Sequence, residues 1–161
     1  MLQAVTHTRS QTVMVEFLPL LHPGIHTLTQ ANVEELAVKA YPSSVRRPKL
    51  FSGLVTWLDQ LRARGVVGRC WLDGSFLTEK PEPNDIDLVL FPQWGATPTE
   101  EVKLEIGGLL DTPLMKAVYG LDVYIVDQGA QNAVDMTSYW RGWYGFCRDG
   151  ATAKGIAEVM L

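Results

Sequence analysis

The chain has 161 residues, of which 47% are apolar and 20% charged, and it carries a formal net charge of −4. That length suits one domain with its own core, and the composition excludes a disordered or low-complexity chain. A net negative field excludes strong nonspecific nucleic-acid binding, so any contact with nucleic acid is expected to be local.

No stretch approaches the roughly 20 apolar residues of a membrane span. Met1 to Val15 show no basic-then-apolar leader, so the expectation is a cytoplasmic protein without a membrane partner. Cys70 and Cys147 lie far apart with no second Cys or His beside either. Two buried thiols are expected, not a zinc site or a redox pair.

In chain order, Thr12 to Phe17 alternate Val13, Val15 and Phe17 with Thr12, Met14 and Glu16, the pattern of a half-buried strand that Pro19, Pro23 and Gly24 end. A helix is expected from near Asn32, with Glu35 as capping-box partner and Val33, Leu36, Ala37 and Ala40 on one face, stopped by Pro42. Arg46, Arg47 and Lys49 read as a solvated basic loop before a second helix. There Leu50, Leu54, Trp57, Leu58 and Leu61 recur at helical spacing, and Gly65 caps its end. Val66 to Leu72 suit a strand running into the polar turn Asp73-Gly74-Ser75, and Phe76 to Asn84 are rich in turn residues. Ile86, Leu88 and Leu90 alternate with Asp85, Asp87 and Val89 in the next strand, which ends at Phe91-Pro92. Thr97-Pro98-Thr99-Glu100 combines an N-cap, a proline at N1 and a Glu at N3, so a helix should run to about Leu110. Leu121 to Val126 give a third core strand, Asn132 to Phe146 an aromatic helix, and Gly155 to Leu161 an edge strand. No repeat or linker divides the chain, so residues 1–161 are expected to be one α/β domain.

The chemistry-bearing pattern is acidic. One residue separates Asp85 from Asp87, and the two-residue period of a strand puts both carboxylates on one face, where they repel unless a cation lies between them. Mg²⁺ or Mn²⁺, which prefers hard oxygen ligands shared with substrate phosphates, answers that need. Asp122, flanked by apolar residues in the next strand, can supply a third carboxylate, with Asp127 as a rival that reads as a turn. Asp73 reads as a turn residue. His7, His22 and His26 read as loop histidines, because Pro23-Gly24 breaks the spacing His22 and His26 need to share a ligand. Gly74-Ser75, at the end of a strand, offers backbone N–H groups and a hydroxyl to phosphate oxygens. Arg141, Arg148 and Lys154 accompany Tyr139, Trp140, Trp143, Tyr144 and Phe146; core packing by the aromatics competes with contacts to phosphates or an RNA end.

A strand, Gly74-Ser75, nine intervening residues, the apolar-flanked Asp85-Ile86-Asp87 and a later strand bearing Asp122 together resemble the signature of the DNA polymerase β-like nucleotidyltransferase superfamily. The wider sequence, including Leu-Pro-Leu-Leu-His-Pro-Gly-Ile-His at 18–26 and the stretches Tyr139-Trp140-Arg141 and Lys154-Gly155-Ile156, is similar to small bacterial and phage-associated proteins of that fold. The resemblance implies a mixed sheet with helices packed on it. It also implies Gly74 and Ser75 as the nucleotide-gripping turn, while Arg141 and Lys154 are candidate nucleotide contacts on their residue type and aromatic setting alone. Asp85, Asp87 and Asp122 would be the metal ligands, and Asp122 would also help to deprotonate the acceptor. The activity implied is transfer of NMP from an NTP such as ATP to a hydroxyl of a protein or an RNA 3′ end. A toxin–antitoxin or phage-defence setting, with a toxin as partner, goes with the resemblance. The alternative is a non-catalytic binding module of the same fold, an antitoxin or assembly subunit.

Overall fold

The computed structural model describes residues 17–94 and 98–161. His7, Thr97 and the strand expected from Thr12 lie outside them, apart from Phe17, which joins no strand. Among the described residues the chain runs β1 (Gly24–Thr27), α1 (Gln30–Glu34), a π-helical turn (Glu35–Lys39), α2 (Arg46–Ala63), β2 (Val66–Asp73), a 3₁₀ turn (Gly74–Leu77) and β3 (Ile86–Trp94). It continues through α3 (Glu100–Leu109), α4 (Thr112–Tyr119), β4 (Leu121–Ile125), α5 (Ala133–Tyr144) and β5 (Gly155–Met160).

The five strands form one mixed sheet in the order β1-β5-β2-β3-β4. β1 pairs parallel with β5, and β3 parallel with β4, while β2 is antiparallel to both β5 and β3. The expected edge strand at the C-terminal end is instead interior, because Ile156, Ala157 and Val159 are all buried and demand cover on both faces. β1 and β4 are the edges.

Alternation sorts each strand between two apolar clusters. Cys70, Leu72, Ile86, Leu88, Leu90, Leu121, Val123, Ala157 and Val159 face the larger one, against Leu50, Leu54, Trp57, Leu58 and Leu61 of α2 and buried residues of α3 and α4. The indole N–H of Trp57 donates to the Leu109 carbonyl at 2.8 Å and ties α2 to the end of α3. The other face carries Trp71, Val89, Phe91 and Ile156, covered by Trp140 and Tyr144 of α5.

Helix starts follow side-chain caps more closely than apolar spacing. α1 begins after Thr29, whose hydroxyl accepts from Asn32 N–H at 3.1 Å while Asn32 answers the Thr29 backbone, so Asn32 fills the capping-box place expected of Glu35. α3 begins after Thr99, two residues beyond the expected Thr97, because the Thr99 hydroxyl accepts from Val102 N–H at 3.3 Å. Gly65, at a φ of +77°, turns the chain out of α2 as expected.

α2 and α4 touch through Gly53. A Cβ there would stand 2.5 Å from the Tyr119 carbonyl oxygen, so the backbones approach as closely as glycine permits. Gly53→Ala is expected to lower stability by about 1–3 kcal/mol through forced displacement of α4, measured as a shift of the denaturant midpoint. An unchanged midpoint would show that α4 moves away at no cost.

Candidate functional site

Three acids form one rung across the sheet. Asp73 on β2 is in register with Asp87 on β3, and Asp87 is in register with Asp122 on β4. Because Leu72, Leu88 and Leu121 turn toward the larger cluster, the acids beside them project from the α5 face. Asp85 precedes β3 by one residue and, two positions before Asp87, belongs to that face too.

Lys116 of α4 reaches these carboxylates around edge strand β4. Its ammonium stands 2.9 Å from Asp85 Oδ2 and 2.8 Å from Asp122 Oδ2. One cation thus joins two of the three expected ligands. These contacts hold the Lys116 pKa above its ordinary value, the hydrogen bond to Asp122 contributing most. Asp87 forms no ion pair among the described residues: burial first, then the charges of Asp85, Asp73 and Asp122, push its pKa up to about 6, with Lys116 opposing the rise. Among the described residues no group of three or more His, Cys, Asp or Glu side chains is gathered to hold a metal ion as the side chains stand. The ammonium is the cation between them.

Asp73, expected to be a turn residue, is the last residue of β2 and is only 4% exposed. Its Oδ2 accepts from the Lys154 ammonium at 2.8 Å, and its Oδ1 is buried without a hydrogen-bond partner. Burial raises the Asp73 pKa and Lys154 opposes the rise. The Lys154 side chain, expected to contact nucleotide, is itself only 12% exposed and is committed to Asp73. Arg141, the other basic candidate, lies exposed on α5.

Gly74 makes the turn out of β2 possible. Its φ of +76° is the left-handed region, and a Cβ there would overlap the Asp87 carboxylate, so only a bare backbone lets β2 end beside that acid. Ser75 follows, half-buried, with its carbonyl accepting from the Thr78 N–H and hydroxyl.

The segment from this turn to Asp85 is held by Arg47, which sequence reading placed in a solvated loop. Arg47 is fully buried and donates to the carbonyls of Ala37, Phe76, Thr78 and Lys80 at 2.6–2.8 Å. Its guanidinium lies 3.9 Å from the Tyr41 ring centroid and 5.5 Å from that of Phe76. Further along, the Glu82 carboxylate accepts from Val45 N–H, Arg46 N–H and the Ser44 hydroxyl, capping α2 from outside the helix. Arg46 also bonds Asn84, directly before Asp85. Arg47 stands three residues before Leu50 and seven before Leu54, on the apolar stripe of α2, a signal that went unused because all three basic residues were placed before the helix.

The aromatic tail divides as helical geometry requires. Trp140 and Tyr144 are buried, while Tyr139 and Trp143 are exposed and lie nearly parallel with centroids 6.3 Å apart. Tyr124, two residues beyond Asp122 on the same face, packs on Trp140 with centroids 4.4 Å apart. His22 and His26 share no site; the His26 ring bonds the His22 carbonyl at 2.8 Å. Cys70 and Cys147 are both buried, and burial pushes the Cys70 pKa up, the state of an unreactive thiol. No helix among the described residues is long and apolar enough to cross a membrane.

No curated protein matches the chain, and no solved structure does. Residues 15–160, which include every residue of the acidic rung and both of its lysines, match the family of unknown function DUF6932, and the chain belongs to that family.

Proposed function

We propose that the protein is a divalent-metal-dependent nucleotidyltransferase of the polymerase β-like type, moving NMP from an NTP to a hydroxyl with release of pyrophosphate. The observation that carries this reading is the sharing of one cation by Asp85 and Asp122, beside an Asp87 carboxylate that burial and its acidic neighbours hold at a pKa of about 6. Such a face of carboxylate oxygens fits Mg²⁺ or Mn²⁺, which take hard oxygen ligands and leave positions for phosphates. Asp85, Asp87 and Asp122 would be the ligands.

When bound, the metal would neutralise charge on the leaving pyrophosphate and favour ionisation of the acceptor hydroxyl. The protein's own groups do the rest. Gly74 keeps the turn after β2 narrow enough to border Asp87, and the Ser75 hydroxyl would donate to the triphosphate. Asp122 would take the acceptor proton. The buried Asp73–Lys154 pair balances one of the four acids, while the other three share only the half-exposed Lys116. The acceptor is a hydroxyl of a protein or an RNA 3′ end, and a toxin–antitoxin or phage-defence partner is the setting tested first.

The Lys116 ammonium itself favours a second reading. A lysine that neutralises two of the acids suits a non-catalytic module that keeps the fold for binding alone. Incubation with each α-labelled NTP, Mg²⁺ or Mn²⁺, and total RNA or candidate partner proteins separates the two. Metal-dependent label transfer that disappears in Asp85→Ala/Asp87→Ala supports the enzyme. No transfer with any donor and acceptor, from a folded protein, favours the module.

A further inference from the structure

Lys116 belongs to no part of the acidic signature, yet it stands where a divalent cation would have to stand. Its ammonium uses Asp85 Oδ2 and Asp122 Oδ2, oxygens from two of the three ligands assigned above, so metal and ammonium compete for the same atoms. The competition is not a matter of fold. Lys116 lies in α4 with its side chain 50% exposed, and a flexible four-carbon stem lets the ammonium withdraw while the helix stays docked through Met115. A withdrawn ammonium stays within a side chain's length of the site, next to whatever anion arrives with the metal.

The geometry points to Lys116 as the resident counter-ion of the carboxylates, displaced by the divalent cation and taken over by the phosphates of the incoming nucleotide. This rests on the metal-site reading above and adds a coupling to it. Metal alone must break two ion pairs and leave the ammonium without an anion. Metal arriving with a triphosphate breaks the same pairs and supplies new oxygens. Each ligand therefore raises the affinity of the other, and by linkage the enhancement is equal in both directions. The carboxylate face would thus bind little free metal and would fill when a metal-bound nucleotide arrives.

The test uses the full chain with Lys116→Met, which keeps the length of the stem and its contact with the helix but removes the charge. Mn²⁺ binding is followed by electron paramagnetic resonance without nucleotide, and binding of a fluorescent, non-hydrolysable ATP analogue is followed in excess Mg²⁺. Two partly exposed ion pairs together are worth about tenfold in affinity. Lys116→Met is expected to bind Mn²⁺ alone about that much more tightly and to bind the metal–nucleotide more weakly than the wild type. Opposite signs distinguish displacement from a lysine that merely staples α4 to the sheet, for which melting temperature falls and neither affinity moves as described. Equal Mn²⁺ affinity in wild type and Lys116→Met overturns the inference while leaving the carboxylate site intact, provided Asp85→Ala/Asp87→Ala abolishes binding. Mn²⁺ binding that survives Asp85→Ala/Asp87→Ala in the Lys116→Met background overturns the site reading as well.

Discussion

An Arg47→Ala protein is expected to lose about 3–5 kcal/mol of stability, at the high end for a point substitution because it empties a buried hydrogen-bond network. The guanidinium holds carbonyls from three places: Ala37 before α2, Phe76 in the 3₁₀ turn, and Thr78 and Lys80 in the loop toward Asp85. Without it these acceptors remain in a site that was closed to solvent, and each unsatisfied one costs about 1–3 kcal/mol unless water enters. Tyr41 and Phe76 also lose the cation against their rings. Arg47→Lys should recover only part of the loss, because one ammonium lacks the planar fork that serves four carbonyls. Equilibrium denaturation of the three proteins measures the order wild type, lysine, alanine. Hydrogen exchange should show extra opening concentrated between Phe76 and Asp85. An alanine variant within about 1 kcal/mol of wild type would mean that the loop is held by Glu82 and the sheet without the guanidinium.

The second large effect has the opposite sign. In chelator-treated protein Asp87→Asn is expected to raise stability at pH 8, because it removes a carboxylate that burial and three acidic neighbours disfavour. The Asp87 pKa stands at about 6 in the folded chain against an ordinary 3.8. A raised folded pKa means that the folded state binds the proton more tightly, so this group's stabilising contribution is complete below about pH 4 and is lost as pH rises through about 6. That difference corresponds to roughly 3 kcal/mol at most, and the retained polarity of asparagine brings the expected gain to about 1–3 kcal/mol. The difference between variant and wild type should open between pH 4 and 7 and then level off. Urea unfolding at pH 4, 6 and 8 measures it. A gain of the same size at pH 4 would tie the effect to side-chain shape and not to charge.

Much of the sheet was legible because strand alternation is a local signal: Ile86, Leu88 and Leu90 against Asp87 and Val89 needed no tertiary information. The same alternation put Asp85 and Asp87 on one face, and the structure brings Asp122 into register with Asp87. What the sequence concealed depended on contacts between distant segments. The carbonyls that Arg47 serves belong to Phe76, Thr78 and Lys80, far along the chain, and Asp73 looks like a turn residue until Lys154 reaches it from 81 positions away. α4 was different, since its signals were present and unused. Asp111 caps it by accepting from Leu114 N–H at 2.8 Å, Pro113 sits in its first turn, and Gly120 ends it at a φ of +71°. An unread helix of eight residues removed Lys116 from consideration.

Because Asp73, Asp87 and Asp122 occupy one rung of three hydrogen-bonded strands, their Cα spacing comes from the ladder, at about 4.7–4.9 Å between neighbouring strands. Rotamer choices in the apolar layers do not set it. Substitutions that reshape the packing beneath the sheet can therefore drift during evolution without spreading the acids apart, whereas a one-residue slip of β4 would send Asp122 through to the opposite side. The arrangement is robust to changes of volume and intolerant of insertions or deletions between Tyr119 and Leu121.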